Sequence, residues 1–222
     1  MAEMLTVPQA FALLQLEPDG RKATDVQTLD LGLAGAVLAD LALRGSVSLR
    51  DGLVTVVDGS ATGDNVLDET VGTIAASGTS RKAKSWVQRL GKRPLRDAVL
   101  AGLTERGLLS VEQGKALGIF PTTKYPERDG GPEALVRSAI ADVLARRSEP
   151  TPFAAAVIGL LDATSTLRKQ FGKVDRDLVT EITSGAWASP AVKAVLEEIQ
   201  MAAILATVAA STAATTSVIA SS

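Results

Sequence analysis

The chain has 222 residues, of which 46% are hydrophobic, 22% are charged and only 3% are aromatic; this composition is typical of a globular protein with an aliphatic core, and such cores suit packed helices. It contains no His and no Cys, which excludes disulfides, Cys or His metal sites, and Ser-His-Asp or Cys-His catalysis, but leaves a Mg²⁺-carboxylate site open. The pairs Glu197/Glu198 and Asp175/Asp177 lack the helix spacing that would place both carboxylates on one face beside another ligand, so we predict no catalytic site, no metal and no cofactor. The formal net charge is −2, and we expect no nucleic-acid partner.

The chain begins with two predicted helices. A short apolar helix covers residues 7–16, and Pro8 suits its first turn. A longer helix covers residues 28–44 and ends at Gly45, because Gly commonly follows the last helical residue. Its apolar residues surround the helix axis instead of forming a narrow stripe, so we expect it to be nearly buried.

A β-hairpin follows, and then a series of helices. Residues 46–49 and 53–57 alternate between apolar and polar side chains around an Asp-Gly turn, which predicts two paired strands. Asp64 is expected to cap the next helix, and Ser80 the one after it. A third helix is expected to start at Pro94 and to end at Gly107.

From Pro132 onwards the sequence is predicted to be wholly helical. The predicted helices cover residues 132–147, 151–163, 165–171, 174–186 and 189–210. Residues 199–222 carry no charge, but they contain few large aliphatic side chains and no flanking basic residue, so we favour a buried central helix over a membrane span. Residues 211–222 are expected to be a frayed tail rich in Ser, Thr and Ala.

Basic residues are concentrated between positions 81 and 96, a stretch that we call the basic segment. Its cations are Arg81, Lys82, Lys84, Arg89, Lys92, Arg93 and Arg96, with no acidic residue among them. Arg93 and Arg96 lie three residues apart at the predicted start of a helix, where guanidinium groups and free backbone N–H groups favour a phosphate. A solvated basic face without any ligand explains the same pattern equally well.

Residues 119–126 form an extended loop or hairpin that contains two prolines. Its candidate contact residues are Ile119, Phe120, Lys124 and Tyr125. Aromatic side chains beside a Lys in such a loop are typical of contact with a partner, a groove or a membrane interface. Aromatic side chains that fold back onto the core would give the same sequence pattern.

The order helix, Gly, hairpin occurs twice, near residues 31–57 and 99–126, and it is also typical of winged DNA-binding domains. A recognition helix needs several Lys or Arg residues on its exposed face. The helix predicted at residues 28–44 has only Arg44, so we disfavour DNA binding.

Several segments, in this order, resemble the Golgi phosphoprotein 3 family. They are GLAGAVLADLALRGSVSL, VLDETVGTIAAS, SWVQRL, PLRDAVLAGLTERGLL, IFPTTKYP, PEALVRSAIADVLA and AAAVIGLLDATSTLRKQF. The resemblance covers residues 4–210 and lies in the order and spacing of the segments. It implies a single, mostly α-helical domain at residues 1–210, with amphipathic helices around a central hydrophobic one and short β-hairpins.

The resemblance also implies a function. Members of this family bind phosphatidylinositol 4-phosphate on Golgi membranes, insert a hairpin into the bilayer, self-associate through it and retain glycosyltransferases by holding their tails. We therefore expect a non-catalytic, peripheral membrane protein of the cytoplasm, with an anionic membrane lipid as its partner. A protein tail and a second copy of the chain, joined through the hairpin at 119–126, are further expected partners.

Carried over residue by residue, the family's lipid pocket is only partly present. Arg93 and Arg96 match a pair of headgroup-binding arginines, and residues 119–126 match the membrane hairpin. The pocket's Trp corresponds to Asp25 and its first Arg to Ala34, so a generic anionic lipid or another phosphate is expected in place of the family's ligand. We expect Arg89 and Lys92 to add attraction to an anionic surface. The alternative is a helical scaffold that holds a protein tail without binding lipid.

Overall fold

The computed structural model describes residues 5–50, 53–116 and 120–185. The helices and strands occur in the following order: α1 Val7–Leu14, α2 Val26–Leu43, β1 Val47–Arg50, β2 Leu53–Val56, α3 Asn65–Ala76, β3 Arg81–Lys82, α4 Ala83–Leu90, α5 Arg93–Glu105, β4 Glu112–Ala116, β5 Phe120–Lys124, α6 Gly131–Leu144, α7 Pro152–Ala163, α8 Leu167–Phe171 and α9 Arg176–Thr183. The mostly α fold class with short hairpins is therefore confirmed.

Helix α2 is the central helix of the described structure. Asp25 caps its first turn by accepting a hydrogen bond from the Thr28 N–H at 2.9 Å. Residues 29–41 are buried without interruption, as expected for a helix whose apolar side chains surround its axis. The predicted burial of this helix is thus confirmed. The helix predicted at residues 189–210 lies outside the described residues.

Two hydrophobic clusters pack on opposite sides of α2. The larger one joins α2 to α1, α5, α6, α7 and α9. The smaller one joins α2 to the β1–β2 hairpin, α3 and α4, with the fully buried Trp86 inside it. Because α2 contributes side chains to both clusters, it fixes the elements of one cluster relative to those of the other.

The strands form two small antiparallel sheets. In the first, β1 pairs with β2, with Val47 opposite Val56, and β3 adds a short edge in which Lys82 lies opposite Leu53. In the second, β4 pairs with β5, with Glu112 opposite Lys124. The first sheet covers part of the smaller cluster, and the second is the hairpin that carries the predicted contact loop.

The sequence prediction was wrong at the start of α4. Ser80 does not cap this helix; Lys82 occupies the cap position and makes no side-chain cap hydrogen bond. The reason is that Arg81 and Lys82 pair with β2 as strand β3, which moves the helix start two residues beyond the expected cap. The domain boundary expected at residue 210 stays a prediction.

Candidate functional site

The cations of the basic segment lie at the corner where β3, α4 and α5 follow one another. Arg81, Lys82, Arg89, Lys92 and Arg93 are exposed, and Lys84 is half-buried. Among the residues that the structure describes, Arg93 is the only one of these six with an ion pair, to Asp97 at 3.0 Å. The corner therefore presents a positive surface that few internal acids neutralise.

Arg89 is held differently from its neighbours in the basic segment. Its guanidinium carbon lies 6.0 Å from the centroid of the Trp86 ring, at the outer limit of a cation–π contact. Trp86 is fully buried and Arg89 is exposed. The guanidinium group therefore lies close to a buried ring while Arg89 stays open to solvent.

Arg96 is buried, which departs from the arrangement that its spacing from Arg93 predicted. Its Nη1 atom donates a hydrogen bond to Asp30 Oδ1 in α2 at 2.5 Å, and each side chain is only 11% exposed. By contrast, the Arg93 side chain is 81% exposed. The structure therefore does not bring the two guanidinium groups together on the surface.

The first turn of α5 offers fewer free donors than the sequence suggested. The helix begins at Arg93, and Pro94 has no N–H group. The N–H groups of Leu95 and Arg96 both donate to the Lys92 carbonyl oxygen, at 3.1 and 3.3 Å. A phosphate at this helix start would therefore rely on side-chain charge more than on backbone donors.

The two positions that the resemblance matched to other pocket residues, Asp25 and Ala34, have structural roles here. Asp25 caps α2; partial burial raises the pKa of its carboxyl, but hydrogen bonds from Thr28 and from the backbone lower it more, so the net shift is downward. Ala34 is fully buried in the smaller cluster. Neither residue supplies a positive charge to a headgroup.

The β4–β5 hairpin is attached to the body of the protein by a turn between α1 and α2. The Tyr125 N–H donates to the Gly20 carbonyl oxygen at 3.3 Å, and the Glu127 N–H donates to the Pro18 carbonyl oxygen at 3.2 Å. Gly20 has a φ of +76°, and a Cβ atom there would lie 2.4 Å from the Tyr125 carbonyl carbon. The hairpin base thus depends on a residue without a side chain.

The predicted contact residues of this hairpin are in different settings. Lys124 is exposed, whereas Tyr125 is half-buried and packs against the larger hydrophobic cluster. Phe120 begins β5, but its side chain lies outside the described part of the structure, as does the whole of Ile119. Tyr125 therefore supports the base of the hairpin.

Sequence reasoning missed a cleft of about 590 Å³ between the starts of α1 and α3 and the length of α5. Its polar wall is continuous: Gln9 Nε2 donates to Asp64 Oδ2 at 3.0 Å, Arg106 donates to Gln9 Oε1, and Arg44 Nη1 donates to the Thr62 carbonyl oxygen at 3.3 Å. The cleft joins elements that are far apart along the chain, so no local pattern could have indicated it.

Helix α2 cannot act as a recognition helix for DNA. Its residues 29–41 are buried, and it contains neither Lys nor Arg. It is also long and apolar enough to cross a membrane by length and composition alone, but 72% of its most apolar window is buried inside the protein. Packing within the fold accounts for its composition.

The comparisons with known proteins agree with the fold. Residues 7–199 match the sequence model of Golgi phosphoprotein 3. The chain is also similar to the vacuolar protein sorting-associated protein 74 of Eremothecium gossypii, with 26% identity over 168 residues that cover 65% of this chain and 50% of that protein. The chain thus spans about half the length of this curated relative.

Proposed function

Because the chain belongs to the Golgi phosphoprotein 3 family, we propose that it is a non-catalytic adaptor that associates peripherally with membranes by binding anionic lipid headgroups. The observation that carries this proposal is the group of exposed cations where α4 ends and α5 begins. Arg89, Lys92 and Arg93 are exposed there in a chain of net charge −2. A cation near an anionic membrane contributes about 1 kcal/mol of attraction.

The β4–β5 hairpin is the second membrane contact in this proposal. One weak signal gives only marginal membrane binding, and stable binding needs two signals or several copies. The hairpin would place Phe120 and Lys124 at the interface, while Tyr125 holds its base. A second copy of the chain, joined through the same hairpin, would add avidity.

The test is a pair of triple variants with the same loss of charge. Arg89→Gln/Lys92→Gln/Arg93→Gln removes three exposed cations from the proposed surface, and Arg146→Gln/Arg168→Gln/Lys173→Gln removes three exposed cations elsewhere. Co-sedimentation with vesicles of phosphatidylcholine and phosphatidylserine measures the affinity. We expect the first variant to bind roughly 100-fold more weakly, since about 3 kcal/mol is lost, and the second to stay close to the wild type.

If both variants lose the same affinity for the vesicles, only the net charge of the protein matters. The assignment of the lipid-binding surface to Arg89, Lys92 and Arg93 would then fail. No loss in either would remove the basic segment from the proposal. Circular dichroism and thermal unfolding of both variants serve as the folding control.

A second candidate function is favoured by the cleft between α1, α3 and α5, whose volume of about 590 Å³ lies within the range of small-ligand sites. It would hold a short protein tail, as in a scaffold without lipid binding. Gly102 lies in this cleft, and a Cβ atom there meets no neighbour within 4 Å. Gly102→Leu would therefore obstruct the cleft, whereas Gly72→Leu, at an equally open helical position on α3, is the control.

A pull-down from cell extract, compared with vesicle flotation, separates the two functions. Proteins that are captured by the wild type and by Gly72→Leu, but not by Gly102→Leu, support the cleft. Capture that Gly102→Leu leaves unchanged argues against it.

A further inference from the structure

A buried ion pair lies directly beneath the basic segment. Asp30 on α2 and Arg96 on α5 meet at 2.5 Å, and each side chain is 11% exposed. The second carboxylate near Arg96 belongs to Asp97, whose Oδ1 lies 3.8 Å from Arg96 Nε. Since an unpaired buried charge is costly, each partner of the Asp30–Arg96 pair depends on the other.

The turn between α4 and α5 docks at the same place on α2. Gly91 ends α4, and a Cβ atom there would lie 3.0 Å from Leu31 Cδ2 and 3.1 Å from the Asp30 carbonyl oxygen. The backbone of Gly91 and the side chain of Arg96 therefore both contact α2 around Asp30. Trp86 and Val87 of α4 also pack in the hydrophobic cluster on α2. Several contacts with α2 therefore hold the segment that carries the exposed cations Arg89, Lys92 and Arg93.

This arrangement changes what Arg96 can do for a ligand. A guanidinium group selects a phosphate monoester by directing several N–H donors at it in a fixed fork. In this protein Arg96 directs a donor at an internal carboxylate, which also repels a second anion. Arg96 is thus occupied inside the protein, and Arg93, which is 81% exposed, is left without the second guanidinium group that a selective site would use.

We propose that Asp30 is the specificity-determining residue of the basic segment. Its carboxylate engages Arg96, so the remaining exposed cations attract anionic lipid surfaces by charge alone. They do not distinguish a phosphomonoester headgroup from a carboxylate-bearing headgroup at equal surface charge. This inference rests on the proposed membrane association and adds the class of ligand to it.

The first test uses two double variants that leave the net charge unchanged. Asp30→Asn/Arg96→Gln replaces the buried pair by two amides that can still hydrogen-bond, and Arg93→Gln/Asp97→Asn replaces the exposed pair. Binding is measured on vesicles that contain phosphatidylserine or phosphatidylinositol 4-phosphate, matched in surface charge. We expect the affinity of Asp30→Asn/Arg96→Gln for both kinds of vesicle to stay within about twofold of the wild type. The affinity of Arg93→Gln/Asp97→Asn should be roughly fivefold lower.

The second test frees Arg96 by a single substitution. Asp30→Asn should increase the ratio of affinities for phosphatidylinositol 4-phosphate over phosphatidylserine by roughly tenfold. The neutral amide holds Arg96 more weakly than the carboxylate does, so the guanidinium group can turn outward to the headgroup. Asp97→Asn adds the same charge at an exposed position, and it should raise binding to both vesicles without changing that ratio. If Asp30→Asn does not fold, the double variants still decide the role of Arg96.

The inference is overturned if the wild type already prefers phosphatidylinositol 4-phosphate at equal surface charge. It is also overturned if the buried double variant loses binding, or if folded Asp30→Asn changes the ratio no more than Asp97→Asn does. A wild type that binds neither vesicle overturns the proposed membrane association, and this inference with it. That result can be told apart from a failure of the Asp30 inference alone, because the wild type and every variant would then bind neither kind of vesicle.

Discussion

Arg93 and Arg96 are three residues apart, but the Arg93 side chain is exposed and the Arg96 side chain is buried. Pro94 predicted a helix start at this point, and the helix begins one residue earlier, at Arg93. The spacing of the two arginines could not indicate which one points inward. The partner that decides this is Asp30, which lies 66 residues earlier in the chain. A local pattern describes a helix face, whereas the identity of the neighbouring element is a property of the fold.

Gly20 is a single residue on which the hairpin base depends, and it allows a matched prediction. Gly20→Ala and Gly63→Ala both place a side chain at a positive φ, +76° and +85°, but only at Gly20 would the Cβ atom meet other backbone atoms. We expect Gly63→Ala to lower the free energy of unfolding by about 1–2 kcal/mol. Gly20→Ala should cost roughly 1–3 kcal/mol more. Urea unfolding measures both, and equal costs would contradict the contact with Tyr125.

Two acidic residues should give opposite dependence of stability on pH. Burial raises the pKa of Glu133, partly offset by Arg137, with Glu127 and Glu17 raising it further. Because the pKa of Glu133 in the folded protein lies above its ordinary value of 4.5, the stability that protonated Glu133 contributes is lost as pH rises through the folded pKa. Conversely, hydrogen bonds from the Thr62 backbone and hydroxyl lower the pKa of Asp68, so its contribution is present above 3.8 and is lost on acidification.

The corresponding measurement is urea unfolding of Glu133→Gln at about pH 4 and about pH 7, and of Asp68→Asn at about pH 3 and about pH 7, because the contribution of Asp68 is lost only below its ordinary pKa. From the lower to the higher pH, the free energy of unfolding of Glu133→Gln should rise relative to that of the wild type. The free energy of unfolding of Asp68→Asn should fall relative to that of the wild type. If these two differences from the wild type change with pH in the same direction, the opposite pKa shifts assigned to Glu133 and Asp68 are contradicted.

At the scale of elements, the predictions were most accurate where apolar periodicity and caps act together. The buried α2 and the Asp64 cap of α3 were predicted because both signals are local. The short strand β3 was missed, since two basic residues carry no strand pattern and only pairing with β2 makes them extended. Strand β4 was missed for a related reason: Glu112–Ala116 has no alternation of large apolar residues, and its pairing with β5 defines it.

Helix caps give a prediction at this scale. Asp25→Ala removes a hydrogen bond to the Thr28 N–H and should cost about 1 kcal/mol. Asp64→Ala removes hydrogen bonds from the N–H groups of Val66 and Leu67, and also leaves Gln9 Nε2 without its 3.0 Å partner. It should therefore cost about 2 kcal/mol in total. Thermal unfolding ranks the two, and the reverse order would contradict the link between α1 and α3.

At the scale of the whole molecule, one buried helix organises two hydrophobic clusters, and the charged features lie at its periphery. The basic segment is attached to α2 through Gly91 and Arg96, and the β4–β5 hairpin is attached through the turn that contains Gly20. The segment order that resembles the family predicted amphipathic helices around a central hydrophobic one, with short β-hairpins. It could not predict that Asp30 engages Arg96, because that contact depends on how α2 and α5 are packed.

The measurement that tests the central claim most directly is flotation of the wild-type protein with vesicles. Phosphatidylcholine vesicles are compared with vesicles that also contain phosphatidylserine, at low and high salt. We predict that the protein floats with the anionic vesicles at low salt and is released by high salt, because salt screens exposed charges. Protein that stays at the bottom with anionic vesicles at low salt, or that floats equally well with phosphatidylcholine alone, would contradict the account.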